Sequence, residues 1–276
     1  MNVYAIGASR NIGYLSAVRL LGKGATVTFL LRNPSALESD ETLRPYIASG
    51  HAKFVKGDAM NAEDVAKGWG VAQDNGARSV DVVLSTIGGL PNFSLFKGVY
   101  MDPPNLVTSS LLNVVSTFPT GSQPTPPKLI TVSSIGLTPS EHSGLPFLLK
   151  PLYGSLLAAP HEDKLGSERV AIEAAGQPWP QSSPEPRQGI LPEGWKETLH
   201  KSGAVFTEVS IIKPALLTDG ACKGDAAQPG KLAYQVSEQT IGNGYTVSRK
   251  DIAHFIVEVL LEDWAQWGGK SLNIAN

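Results

Sequence analysis

The sequence predicts an α/β chain built on a doubly wound parallel sheet, and three observations predict it. Short apolar runs rich in Val, Ile, Leu and Phe alternate with segments of helical periodicity through the first half of the chain. The connections between them are short, as strand–helix–strand units require. The first apolar run, Val3-Tyr4-Ala5-Ile6, passes straight into a glycine turn, Gly7-Ala8-Ser9-Arg10-Asn11-Ile12-Gly13, that opens a helix. Strand, tight turn and helix in this order form the Rossmann-type device for holding a pyrophosphate. Gly7 permits the turn, backbone N–H groups around Arg10, Asn11 and Ile12 face the phosphates, and Gly13 lets the helix lie close to the sheet. Gly7, Ser9, Arg10, Asn11, Ile12 and Gly13 are therefore candidates for binding a dinucleotide.

The elements follow in order. A helix over Asn11–Leu21 has Ile12, Leu15, Val18 and Leu21 on its apolar side. A second strand covers residues 25–31 and ends at Arg32, about 20 residues beyond the turn, where an acid would hydrogen-bond the ribose 2′-OH of NAD. The position is basic here. With Arg10 as a second cation it suits a 2′-phosphate, and so NADP(H). Residues 34–48 read as a helical segment, Ala52–Val55 as a third strand closed by Gly57-Asp58, and Asn61 as the cap of a helix reaching about Gln73. Val80–Leu84 is a fourth strand, Pro103–Phe118 a helix, and Leu129–Val132 a fifth strand. Residues 145–157 and 161–175 both read as helical, with Pro160 between them. Residues 177–194 hold five prolines and cannot form a regular helix or a central strand. Val205–Ile212 resumes the sheet, Val247–Leu261 is an amphipathic helix capped by Ser248, and 271–274 is a last strand.

The whole chain, 1–276, reads as a single dinucleotide-binding domain. Residues 145–202, with the proline-rich insertion, and 214–247 form a small substrate-binding part. A net charge of −2 gives no reason to expect a nucleic-acid partner. The single cysteine, Cys222, excludes an internal disulfide and fits a reducing compartment. No apolar run is long enough for a membrane span, and the first strand begins too early to leave room for a signal peptide. A cytoplasmic protein is expected, acting on a small molecule, either as a monomer or as a homodimer. The five histidines are scattered and show no metal spacing, and no Gly-x-Ser-x-Gly nucleophile turn is present.

The residues resemble the atypical short-chain dehydrogenase/reductases, in particular the NmrA-like and NAD(P)H-binding group. The likeness is carried by Gly7–Gly13, Leu31-Arg32-Asn33-Pro34, Gly57-Asp58-Ala59, Val132-Ser133-Ser134, the stretch Lys213–Gly220, and Ser248–Ala253. The resemblance implies that Asp58 and Ala59 border the adenine. Thr86, Ile87 and Gly88 pass along the ribose and pyrophosphate. Ser133 lies near the nicotinamide, and Pro214, Ala215 and Leu216 close over its amide. It implies an oxidoreductase, an NADPH-dependent reductase of a small carbonyl, enone or quinone-type substrate. Two alternatives stay open: a non-catalytic NADP(H)-sensing regulator, and a redox-neutral isomerase or cyclase on the same fold.

The chain departs from the family's tyrosine–lysine pair, in which a lysine four residues on lowers the phenol pKa. Tyr153 stands in the right region, but position 157 is Leu. Lys164 lies near the place where related isoflavone-reductase-like enzymes carry a lone lysine. The catalytic candidates are Lys164, Tyr153 and Ser133, with Lys164 also a cofactor contact. The plain alternative for Lys164 is a solvated helix lysine paired with Glu168 at i+4.

Overall fold

A computed structural model describes residues 1–89, 92–94, 98–139, 158–228 and 230–276. An eight-stranded sheet is assembled from β1 (Asn2–Ile6), β2 (Thr26–Leu31), β3 (Ala52–Lys56), β4 (Val82–Ser85), β7 (Lys128–Val132), β8 (Val209–Pro214), β10 (Gln235–Ser237) and β12 (Ser271–Ala275). Their order across the sheet is β3-β2-β1-β4-β7-β8-β12-β10. All neighbours are parallel except β10, which runs antiparallel on β12. Every residue of β1, β2 and β8 is buried, as expected for parallel strands covered on both faces.

Helices cover both faces. α1 (Asn11–Gly22) packs against α8 (Arg249–His254) on one side, over a core that includes Val27, Phe29, Ile252, Phe255 and Ile256. On the other, α4 (Ala62–Ala72), α5 (Leu106–Ser116) and α6 (Ala158–Ala174) enclose Tyr4, Trp69, Leu111, Val115, Phe118, Val170 and Phe206. Tyr4, Trp69, Phe118 and Phe206 form a run of edge-to-face rings with centroids 5.0–5.4 Å apart. The caps expected at Asn61 and Ser248 form. The Asn61 side chain accepts from Glu63 and Asp64 N–H, and Ser248 Oγ accepts from Asp251 N–H.

Several expected boundaries are corrected. The segment 34–48 is two short helices, α2 (Ser35–Glu38) and α3 (Arg44–Ala48), because Asp40 Oδ1 accepts the N–H groups of Thr42 and Leu43 and so competes with the helix ladder. Pro160 does not separate two helices. It lies in the first turn of α6, where its missing N–H is not needed. The expected helix 145–157 lies outside the described residues. The strand expected from Val205 begins at Val209, and Phe206 is instead buried in the core with its N–H bonded to Ala174 C=O. The expected helix from Val247 starts as a strand, β11 (Thr246–Ser248), paired in parallel with β9 (Leu216–Thr218). It continues as α8 and widens to π-type geometry over Phe255–Leu260. A hairpin, β5 (Asn92–Ser94) with β6 (Gly98–Tyr100), was not foreseen. The insertion also carries more structure than its prolines suggested. It contains α7 (Trp195–Leu199), and Ile190 and Leu199 are buried. A last short helix, α9 (Trp264–Trp267), precedes β12. Among the described residues no helix is long and apolar enough to cross a membrane.

Candidate functional site

Every dinucleotide-contact residue expected from the sequence falls at or beside the carboxyl edge of the sheet, where open α/β sheets bind ligands. At the end of β1, Gly7 has φ +81°, and a Cβ there would stand 2.5 Å from the Ile87 nitrogen, so only glycine fits. A Cβ on Gly13 would collide with the Thr86 hydroxyl. Thr86 in turn bonds Ile6 C=O through its N–H at 2.9 Å. The turn is thus pressed against the segment that follows β4. Asn11 takes the left-handed conformation, φ +55°. Arg10 stands at the N-cap of α1 without a side-chain cap bond, and no acidic residue lies in the first turn. The N–H groups of that turn are left facing outward, and the helix dipole adds a positive field there. This is an arrangement that fits a pyrophosphate. Ser9, Arg10 and Asn11 are exposed and Ile12 is buried beneath them.

Past β2, Arg32 is exposed and lines a cavity of about 600 Å³ with Asn33, Ser35, Glu38, Phe54 and Lys56. Neither Arg10 nor Arg32 has an ion-pair partner among the described residues. Lys56, at the end of β3, was missed as a third cation near this cavity. Its signal was a lysine closing an apolar strand. Glu38 is the one acid on the wall. Asp58 and Ala59 follow β3, but the Asp58 carboxylate is occupied in its own turn, accepting Met60 N–H at 3.0 Å, while Ala59 C=O accepts from Asn113 at 2.9 Å. Gly88 is exposed, and a Cβ on it would meet nothing within 4 Å. Pro214, Ala215 and Leu216 lead from β8 into β9, with Pro214 C=O accepting Ile135 N–H at 3.2 Å.

Two of the catalytic candidates, Lys164 and Ser133, lie by the ends of β4, β7 and β8. Lys164, half-buried on α6, reaches over the sheet edge. Its Nζ donates to Val132 C=O at the end of β7 and, at 3.2 Å, to Ile87 C=O after β4. Burial lowers the pKa of its ammonium to about 8, against the opposing pull of Asp163 and Glu168. The plain alternative, a side-chain pairing of Lys164 with Glu168, is not made. Glu168, itself buried, accepts from Ser133 Oγ at 2.5 Å with Oε1 and from Lys213 Nζ at 3.3 Å with Oε2. Glu168 and Lys213 were both missed. Lys213 had a legible signal, a lone charge in a buried apolar strand; Glu168 looked like a surface partner. Tyr153 lies outside the described residues.

The position of α6 is set from three sides. Asp163, fully buried, accepts the N–H groups of Val107 (2.8 Å) and Thr108 (2.9 Å), capping α5 from another helix. Burial raises its carboxyl pKa above the ordinary value, opposed by those same bonds. Glu162, Gly166, Arg169 and Glu173 share a stripe at helical spacing, opposite the one bearing Lys164 and Glu168. The insertion lies along that stripe. Glu162 pairs with Arg187 at 3.1 Å, and a Cβ on Gly166 would stand 2.5 Å from Ile190. The Arg169 guanidinium sits 5.3 Å from the Trp179 ring and 5.2 Å from the Trp195 ring, and also pairs with Glu173 and Glu185. The segment expected to cover the substrate or an interface is therefore fastened to the outer face of α6.

No family model matches the chain. Over 200 residues, 70% of this chain, it is 27% identical to reductase pytE of Aspergillus terreus, and that match spans 66% of the relative's length, just under two thirds. Among solved structures, ChuY, an anaerobillin reductase from Escherichia coli O157:H7, superposes with a TM-score of 0.58 at 17% identity, over 100% of this chain and 97% of that one. A metagenomic short-chain oxidoreductase in complex with NADP gives a TM-score of 0.54 at 18% identity, over 94% and 90% of the two chains. The chain therefore has the Rossmann-type α/β fold that these reductase structures share.

Proposed function

We propose that this chain is an NADPH-dependent reductase of a small carbonyl, enone or quinone-type compound. One observation carries the reading: Ile87 touches both halves of the machinery. Its backbone packs against the Gly7 turn, and its carbonyl accepts from the Lys164 ammonium. A dinucleotide laid along the turn would thus run toward the lysine. The names of the curated relative and of the NADP-bound structure support the same reading.

The turn N–H groups would hold the pyrophosphate, and Arg10 and Arg32 the 2′-phosphate. Bound NADPH supplies hydride. Lys164 has three ammonium protons. Two go to backbone carbonyls, which leaves the third to meet the substrate oxygen. It stabilises the charge that develops there and then transfers to it, after which the amine recovers a proton from solvent. A pKa of about 8 suits this task, because the ammonium form prevails at neutral pH while its proton is readily given.

The test is NADPH oxidation by the purified chain across a panel of ketones, enones and quinones. Lys164→Ala is expected to lower turnover on the order of 10²-fold, and Tyr153→Phe much less. If the Tyr153 variant is inactive while the Lys164 variant turns over, the assignment is wrong. Tight NADP(H) binding with no turnover on any member of the panel would instead favour the sensing regulator.

A further inference from the structure

The hydrogen-bond polarity of the site specifies more of the substrate than its reducible group. A serine hydroxyl has one proton and two lone pairs, and an ionised carboxylate only accepts. Ser133 therefore gives its proton to Glu168 Oε1 at 2.5 Å, while the Lys213 ammonium, 3.3 Å from Oε2, holds that carboxylate in its charged form. All three residues are buried. Ser133 Oγ can then only accept from a ligand. Immediately beside it, the Lys164 ammonium is bonded to the carbonyl of Val132, the residue preceding Ser133, and its remaining proton can only donate.

We infer that this site takes a carbonyl compound bearing a hydroxyl or N–H group next to the carbonyl. The carbonyl oxygen accepts from Lys164 and the neighbouring O–H or N–H donates to Ser133. Glu168 is the positioning residue. It touches no reacting atom but decides which way the Ser133 hydroxyl points. This deepens the reductase reading and rests on it for the identity of the reduced group. An arrangement in which Ser133 donates to the substrate carbonyl is excluded while Glu168 holds its proton.

The test uses a matched pair of probes, 2-hydroxyacetophenone and its methyl ether, in which a methyl group replaces the donor proton. Two readouts are taken: kcat and KM with NADPH, and calorimetric binding to the NADP⁺-saturated chain. The hydroxyl compound should be favoured about tenfold in kcat/KM, mainly through KM, a difference of about 1.4 kcal/mol. Ser133→Ala should remove the preference while leaving Lys213 paired with Glu168. Glu168→Gln should also remove it, because the amide can donate to Ser133 and release the hydroxyl proton toward the ligand. Glu168→Asp, which keeps the charge, should retain part of it; a purely structural role for Glu168 would leave the preference intact in every folded variant. Equal treatment of the two probes by the wild type, a preference for the ether, or binding of neither at millimolar concentration overturns the inference. Selective binding of the hydroxyl compound, lost in Ser133→Ala but accompanied by no NADPH oxidation, overturns the reductase reading and leaves the inference standing.

Discussion

Arg169 fastens the insertion to the helix that carries Lys164, and replacing it should loosen both. Its guanidinium stands 5.3 Å from the Trp179 ring centroid and 5.2 Å from that of Trp195, and Nη1 bonds Glu173 at 2.8 Å. A cation–π contact contributes about 0.5–1 kcal/mol when exposed and about 2 when desolvated. Arg169 is buried while its aromatic partners are partly open, so about 1 kcal/mol for each ring is reasonable. A charged hydrogen bond adds about 1.5–3 kcal/mol. The lower part of that range applies, because Glu173 keeps Lys196 and His200 at 3.6 Å and is not left unpaired. Arg169→Ala should thus cost about 3–4 kcal/mol, and Arg169→Lys about half, since a compact ammonium cannot reach both rings and Glu173 as the broad guanidinium does. Urea unfolding followed by tryptophan fluorescence measures the loss. Native-state proteolysis between Pro178 and Pro192 shows whether the insertion detaches first. A loss below about 0.5 kcal/mol in Arg169→Ala, the range of ordinary surface changes, or an Arg169→Lys variant as stable as the wild type would refute the argument.

Three other outcomes are expected. Arg32→Ala should weaken NADPH binding by about tenfold or more and leave NADH nearly unchanged, from the loss of a charge-assisted bond of about 1.5–3 kcal/mol to the 2′-phosphate; calorimetry with both cofactors checks it, and equal weakening would count against the cavity beside Arg32 as the phosphate site. Reduction should fall as pH rises through about 8, because the lowered pKa of Lys164 means that its proton is lost there rather than near 10.5; a wild-type kcat profile flat from pH 7 to about pH 9.5 would remove Lys164 as the donor. Asp163→Ala should cost about 3 kcal/mol in denaturant unfolding, since it strands two buried N–H groups at the start of α5, and a near-neutral result would mean that water replaces the cap.

Much of the site was legible because it is made of local signals. A glycine with positive φ at the end of a strand, an uncapped helix start and an arginine after the second strand each depend on a few neighbouring residues, and each stands where the sequence placed it. The caps at Asn61 and Ser248 were readable for the same reason. Boundaries failed where a side chain or a distant strand competed with local propensity. Asp40 took backbone donors from the expected helix, and Thr246–Ser248 paired with Leu216–Thr218 before the next helix could start.

The sequence by itself determined the α/β class, the glycine turn that opens α1, the basic residue past β2 and a helix that carries Lys164. These follow from periodicity, glycine conformation and chain order, which act over a turn or two of backbone. Only the tertiary structure decided what surrounds Lys164. Glu168 lies four residues away on the same helix, close enough to invite a pair. The fold instead brings Ser133 from β7 and Lys213 from β8 to that carboxylate, and gives Lys164 the carbonyls of Val132 and Ile87. The proline-rich insertion was expected over the substrate side or an interface, because nothing local predicts that an arginine on α6 will stand against its two tryptophans. Partners so far apart in sequence are chosen by burial: a charge removed from water must find its counterpart wherever the packed sheet and helices put one.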